Sequence, residues 1–585
     1  MKKIHFISDI RKLYNLINSK QKKQLLRILF IMIIGAIFEM LSIGLILPAF
    51  SLLNNPEQLA NFGFTSTLNF SSLVVLFCLI FFLLFLTKNM FLIFMFWKQS
   101  KFTYSMLEHM SKKLFIGYLY RPFTFHLQHN SSELIKNIIG EVNVFTGVIK
   151  ASMLFATEII VMFFLLILLM YVDFMSALIS ILILGIFGFL FNRYTAKYTK
   201  KWGKARQFHD GYRIQHVQQG LGANKEIKLG GLEKEFGQKF IFHNLASAEI
   251  GQKQNFLENT PRLWIEILVV LIFSGLTITL VLSNKDMEAI IAILIVFALS
   301  AFRLMPSISR IVTSIQRLNY SMPVIEMIDR EFNENNKIQK ISNDNLSNVD
   351  DEIFKNWSLI SLNNLTYGYH NSEKKVFKKL SFSIKRNTSI GIIGESGSGK
   401  STLINILLGL LPIEKGDYLI DSYNVNKNLS NWQKKIGYVP QSIFLIDDTL
   451  KNNIAFGIPE KDIDPKKIKT ALRLSHLEKF VDGFVEKENV LVGENGARIS
   501  GGQRQRIGIA RALYHDPEIL IMDEATSALN FEIESEIMKD IYALNGKKTI
   551  IVVTHRLTAL SHCDNIYKME GHNLLKQNIL NGIIK

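Results

Sequence analysis

The chain is 585 residues long, 48% hydrophobic and 20% charged, with 43 Phe, 11 Pro and a mean hydropathy of +0.19, which is too apolar for an ordinary soluble enzyme and far too apolar for a disordered chain. Its two cysteines, Cys78 and Cys563, lie far apart and exclude both a disulfide scaffold and a cysteine-based zinc site. The formal charge of +17 fits either nucleic acid or the cytoplasmic loops of a membrane protein, so the placement of the basic residues decides.

In chain order, the opening segment lacks the apolar core of a signal peptide. Phe6, Ile10, Leu13, Tyr14 and Ile17 instead recur at helical spacing among Lys and Arg, the pattern of a helix lying in the membrane interface. Six apolar runs follow, about 28–52, 73–97, 151–171, 175–191, 263–282 and 289–312, each near the ~20 residues that cross a bilayer. Lys and Arg crowd the segment before the first run and the connections after the second and fourth, which the positive-inside rule places in the cytoplasm together with both termini. That accounts for much of the charge, and nucleic-acid binding is not expected. The two basic connections, 98–150 and 193–258, far exceed the usual helix-to-helix loop and keep a helical pattern, so they read as spans extended into the cytosol. The turn at Arg121–Pro122 and the glycines at 220–222 and 230–231 mark where each hairpin reverses.

Past Glu331 an Asn-rich polar stretch reads as a linker. The expected division is an interfacial helix over 1–24, a six-span transmembrane domain over 25–330, a linker over 331–356 and a nucleotide-binding domain over 357–585, where short β-branched runs alternate with helical segments. Within the last, GESGSGKST after the run SIGII fills the phosphate-loop spacing with Gly394, Gly399, Lys400 and Ser401. Backbone N–H groups of such a loop wrap nucleotide phosphates, Lys400 reaches the β and γ phosphates, and the Ser401 hydroxyl ligates Mg²⁺. The run EILIMDEA ends in Asp523, placed for the magnesium shell, and Glu524, placed to polarise an attacking water. Just upstream, Ser500, Gly501, Gly502 and Gln503 open a helix whose N-terminus can take a phosphate.

These motifs, in this order, resemble the nucleotide-binding domain of ATP-binding-cassette proteins, and VLVGENG around Glu494 resembles the segment typical of exporters. The resemblance implies an exporter-type half-transporter: a polytopic α-helical membrane domain of six transmembrane helices fused to a cytosolic α/β P-loop cassette. It implies ATP and Mg²⁺ as cofactors, with nucleotide bound by Tyr369, the loop Gly394, Glu395, Ser396, Gly397, Ser398, Gly399, Lys400, Ser401 and Thr402, by Gln441, and by Ser500, Gly501, Gly502 and Gln503. Metal would be held by Ser401, Gln441 and Asp523, and catalysis carried by Glu524 and His555. Two residues depart from the family pattern: Ile499 stands where Leu is commoner, and Asn530 where Asp is usual. Because each chain has one phosphate loop and one signature helix, and the family sandwiches ATP between the two from different domains, a homodimer is the expected assembly.

Charged residues inside the apolar runs cost on the order of 2.5–3.5 kcal/mol each at the centre of a helix, so four basic ones represent roughly 10 kcal/mol before pairing. Lys88, Arg262, Arg303 and Arg310 are therefore read as lining one basic cavity for an anionic headgroup. IFEMLSIGLILPAF and ALSAFRLMPSISRIVTS resemble segments of bacterial lipid-linked oligosaccharide flippases of the PglK type. That resemblance implies a polyprenyl-pyrophosphate glycolipid moved from the cytoplasmic to the outer leaflet of the inner membrane, and a short amphipathic helix within 54–70. The competing readings are a lipid A or multidrug exporter and an ATP-gated channel or channel regulator.

Overall fold

The computed structural model describes residues 16–45, 70–172, 174–282, 287–346, 354–369, 374–577, 579–580 and 583–584. The expected interfacial helix falls mostly, and the expected outer amphipathic helix almost wholly, outside these residues. The chain divides into two compact units, one of residues 1–121 and 125–339, the other of Pro122–Thr124 with residues 340–585.

Six long helices form the first unit: α1 (Ser19–Gly44), α2 (Phe70–Leu119), α5 (Val142–Val172), α6 (Phe174–Gly222), α8 (Glu233–Leu282) and α9 (Met287–Leu346), in register with the six apolar runs. Among the described residues, four stretches are long and apolar enough to cross a membrane: 19–42, 75–119, 131–170 and 233–282. Some side chains within α6 and α9 lie outside the description. The two long basic connections are helical, as their patterning requires, and they reverse where the breakers stand. Helix α2 stops before Pro122 and gives way to the short helices α3 (Phe123–Gln128) and α4 (Ser131–Ile135), the latter capped by Asn130, whose side chain accepts from Ser132 N. Helix α7 (Asn224–Gly230) ends on Gly231, whose φ of +61° is open to glycine at no steric cost, before Glu233 and Glu235 favour the N-terminal dipole of α8.

Helix α9 does not stop at the expected linker. It runs through Pro306 and Pro323 to Leu346, and Glu331, Phe332 and Asn335 are buried in the first unit. Composition marked this stretch as unable to pack. Among the described side chains the buried Phe332 and polar groups with specific partners hold it instead.

The second unit carries two sheets. One is antiparallel, in the order β2 (Phe377–Lys385), β1 (Leu359–Tyr367), β4 (Lys415–Ile420), β5 (Tyr423–Asn424). The other has the order β10 (Asn573–Gln577), β9 (Asn565–Glu570), β3 (Ser389–Gly394), β8 (Thr549–Val553), β7 (Ile519–Asp523), β6 (Ile436–Val439), parallel except for the β9–β10 hairpin. All residues of β7 and β8 are buried, as the continuous apolar runs demand of strands covered on both faces. Register then places the chemistry. Ile392 lies opposite Val553, and Val553 opposite Asp523, so the segments leaving β3, β8 and β7 emerge side by side at one edge.

Candidate nucleotide site

The loop leaving β3 turns into helix α10 (Lys400–Leu407) through Gly397 at φ +79° and Gly399 at φ +107°. A Cβ on Gly399 would lie 2.9 Å from Val376 Cγ1, so glycine is required there by conformation and by space. Lys400 is buried and its Nζ donates to the carbonyls of Gly394 at 2.7 Å and Glu395 at 2.8 Å, bridging the loop it belongs to. Burial lowers its pKa, against the opposing pull of Glu524 and Asp523. Ser398 Oγ is buried with no hydrogen-bond partner among the described residues. That orphaned hydroxyl, inside a glycine cradle at a helix N-terminus, fits the phosphates of a nucleotide.

Asp523 closes β7, and burial, reinforced by the charge of Glu524 and opposed by Lys400, pushes its pKa up to about 6. A carboxylate so strained by desolvation is relieved by a cation. Glu524 follows in the left-handed region, φ +49°, with its N–H held by Val553 O at 2.8 Å. Its two oxygens are divided. Oε2 accepts from Gln441 Nε2 at 2.7 Å, and Oε1 meets His555 Nε2 at 2.9 Å. Thus Gln441, Asp523, Glu524, His555 and the phosphate loop converge as expected, with Glu524 oriented from both sides by groups that polarise it. Tyr369 is half exposed, its hydroxyl 3.0 Å from Thr402 Oγ1 in α10 and its ring edge-on to Tyr367 at 5.4 Å, leaving a face for a base to stack on. Ser401 is exposed at the first turn of α10.

Helix α11 (Gly501–Tyr514) starts with a full capping box: Ser500 Oγ accepts from Gln503 N at 3.2 Å and Gln503 Oε1 accepts from Ser500 N at 2.8 Å. Asn530 caps helix α12 (Phe531–Tyr542), accepting from Ile533 N at 3.2 Å. The departure from Asp is thereby explained at the local level, since Asn and Asp cap equally well. Two residues were missed by motif reading. Gln505 donates to Ser527 Oγ at 2.9 Å and accepts from Ala528 N at 2.8 Å. Arg556 binds Glu534 at 2.7 Å and the carbonyl of Ser527 at 2.9 Å, so together they fix the loop between Glu524 and Asn530 from both sides. Their only sequence signal was adjacency to the signature and to His555.

Of the basic residues of the expected single cavity, the three whose side chains are described, Lys88, Arg262 and Arg310, do not line one cavity. Arg310 is held by the buried Glu158, Nη1 to Oε1 at 2.6 Å, and Glu158 also accepts from Ser307 at 2.7 Å. The buried Glu158 thus supplies Arg310 with a counter-charge. Lys88 reaches Ser42 Oγ at 3.3 Å and lies over the Phe85 ring at 4.3 Å. The side chain of Arg303 lies outside the described residues. Arg262 makes no ion pair among the described residues, not even with Glu266 one turn away, and instead lines a cavity of about 410 Å³ with Lys150, Arg317, Ser314, Asn255 and Glu258. Within it Arg317 pairs with Glu258 at 2.6 Å, Lys150 has no partner among the described residues, and the Ser314 hydroxyl is buried and unpartnered. Lys150 was overlooked because it precedes an apolar run and reads as a boundary charge.

Residues 377–527 match the ABC transporter family. A solved structure of a bacterial Atm1-family ABC exporter with ATP bound superposes with a TM-score of 0.79 over 95% of both chains, at 18% identity. The chain has the fold of an exporter-type ATP-binding-cassette half-transporter. Among proteins of known name, the ATP-dependent lipid A-core flippase of Pseudoalteromonas translucida is 29% identical over 80% of each chain. The ATP-dependent lipid A-core flippase 2 of Colwellia psychrerythraea is 28% identical over 82% of this chain and 80% of that one. The ATP-dependent lipid A-core flippase of Idiomarina loihiensis is 36% identical, but over 37% of this chain and only 38% of its own length. These relatives favour the lipid A reading over the resemblance to oligosaccharide flippases of the PglK type.

Proposed function

We propose that this chain is an ATP-hydrolysing half-transporter that works as a homodimer in the bacterial inner membrane, termini in the cytoplasm, and moves an anionic glycolipid of the lipid A-core class from the cytoplasmic to the outer leaflet. The observation that carries the substrate class is the cavity between α5, α8 and α9, where among the described residues Lys150 and Arg262 make no ion pair, beside a buried Ser314 hydroxyl without a hydrogen-bond partner. Two cations next to the apolar runs, with no ion pair among the described residues, suit a phosphorylated sugar whose acyl chains lie in the bilayer. The names of the relatives support the same class.

In this reading the loop from Gly394 to Thr402 and Tyr369 hold ATP, Lys400 leaves its two loop carbonyls for the β and γ phosphates, and Ser500 to Gln503 of the partner copy close over the γ phosphate. Ser401, Gln441 and Asp523 would hold Mg²⁺, which when bound neutralises charge on the phosphates. Glu524, aligned by Gln441 and His555, accepts the proton of the attacking water.

The test is ATP-dependent translocation of labelled lipid A-core glycolipid in proteoliposomes, with Glu524→Gln as control. Movement that stops in the control, and a lipid concentration for half-maximal ATPase stimulation raised roughly tenfold or more by Lys150→Ala with Arg262→Ala, are the expected results. Movement of a polyprenyl-pyrophosphate oligosaccharide but not of lipid A-core would return the substrate to the competing class, and stimulation unaffected by the double substitution would remove the cavity from the mechanism.

A further inference from the structure

The chain passes from the first compact unit into the second before Pro122, returns after Thr124, and passes again at Lys340. Arg121 is the last residue before the first passage, and its guanidinium is nearly sealed from solvent, with the side chain 4% exposed. Each of its nitrogens is used. Nε donates to Asn335 Oδ1 at 2.9 Å, Nη1 to Glu334 Oε2 at 2.8 Å and Nη2 to Glu331 Oε2 at 2.8 Å. The cation also lies 4.3 Å from the ring of Phe125, the first residue after the return. Its acceptors all sit on the α9 turns that lead to the third passage. One side chain therefore binds together the chain on both sides of the short excursion and the stalk that enters the second unit.

The surroundings are built for this approach. A Cβ on Gly117 would fall 2.0 Å from Asn335 Nδ2, so a larger residue there would displace the Asn335 side chain from Arg121. Asn137 donates to the Tyr118 hydroxyl at 3.1 Å, and His126 Nε2 meets Tyr118 O at 3.0 Å, tying the returning segment to the end of α2. A buried guanidinium with two carboxylates is a poor source of stability, and its better-attested use is to fix a register.

We propose that Arg121 is a positioning residue that makes the three passages between units move as one body, so that events in the cassette are converted into movement of the spans. This rests on the reading of the chain as an ATP-driven half-transporter, and it requires no particular substrate. Arg121 touches no residue of the candidate nucleotide site, so its loss separates hydrolysis from movement.

Cys563 is buried and Cys78 lies within an apolar stretch long enough to cross a membrane, so the full-length protein is labelled instead at Lys253→Cys, an exposed position of α8, in a Cys78→Ser background that serves as wild type for the label, with an environment-sensitive maleimide, and reconstituted. Wild type is expected to change its fluorescence on trapping with ATP and vanadate. Arg121→Gln should hydrolyse ATP within about twofold of wild type, lose that change, and transport about tenfold less lipid per ATP, whereas Arg121→Lys, which keeps the charge and part of the bonding, should recover a measurable share. Hydrolysis and fluorescence falling in proportion, no recovery by Lys, or an intact response in the Gln variant would each overturn the proposal. Should Arg121→Gln fail to fold, Glu334→Gln and Asn335→Ala, each removing one bond, must lower transport per ATP without lowering hydrolysis. A wild type that responds to ATP but moves no lipid A-core would refute the proposed substrate and leave this inference standing.

Discussion

At Glu524 the backbone is strained into the left-handed region while both carboxylate oxygens are engaged, by Gln441 and by His555. Strain of this kind costs on the order of 1–3 kcal/mol and persists where surrounding bonds over-determine it. Glu524→Gln keeps the shape but cannot accept a proton, so ATP turnover should fall by roughly 10²–10⁴-fold while nucleotide affinity is retained, which a binding assay beside a phosphate-release assay will separate. Asn530 gives a milder test. Asn530→Asp should change the melting temperature little, whereas Asn530→Ala loses the cap on α12 and should cost about 1 kcal/mol. The cysteines report burial directly. Desolvation pushes the Cys563 thiol up to about 11, and its sulfur lies 3.0 Å from the Tyr542 hydroxyl. Raising the pH from 7 to 9 leaves that thiol protonated, so N-ethylmaleimide should leave Cys563 unmodified in the native protein and add to it only after denaturation, as read by peptide mass spectrometry.

Among the elements, those whose residues repeat a pattern were legible before any coordinates. The apolar runs became α1, α2, α5, α6, α8 and α9, the breakers at Pro122 and Gly231 became chain reversals, and the phosphate loop and paired acids came together at one sheet edge, while the signature glycines lie against Ala528 and Leu529 instead. What stayed illegible depends on partners distant in sequence. Nothing local says that Arg310 meets Glu158, that Lys150 and Arg262 share a cavity, or that Asn-rich residues after Glu331 continue a helix because Arg121 lies against them. The buried pair Arg206–Glu141, at 2.8 Å across α6 and the turn before α5, belongs to the same class. Glu141→Ala would leave a buried guanidinium without its main counter-charge, and the thermal stability of the purified protein should drop by roughly 3–5 kcal/mol, whereas Lys253→Ala, which loses only an exposed pair, should be neutral.

At the scale of the whole molecule the assembly is itself testable. A homodimer of a 67.0 kDa chain has about twice that mass, near 134 kDa, and mass photometry in detergent should find that species. A monomer that hydrolyses ATP at the full rate would contradict the shared nucleotide site. Helix α9 adds a mechanical consequence. Its 60 residues at ~1.5 Å each trace a path of about 90 Å, interrupted only by Pro306 and Pro323. Each proline lacks the N–H that would close a helical hydrogen bond, so bending there breaks nothing that was made. The helix is thus a jointed rod with two pre-cut hinges. A rotation of about 10° at Pro323 displaces Gln339, some 24 Å farther along, by about 4 Å, a lateral travel larger than a hydrogen bond is long. Small angular changes at Pro323, beyond the apolar run, thereby arrive at the far end of the rod as steps large enough to make or break individual polar bonds.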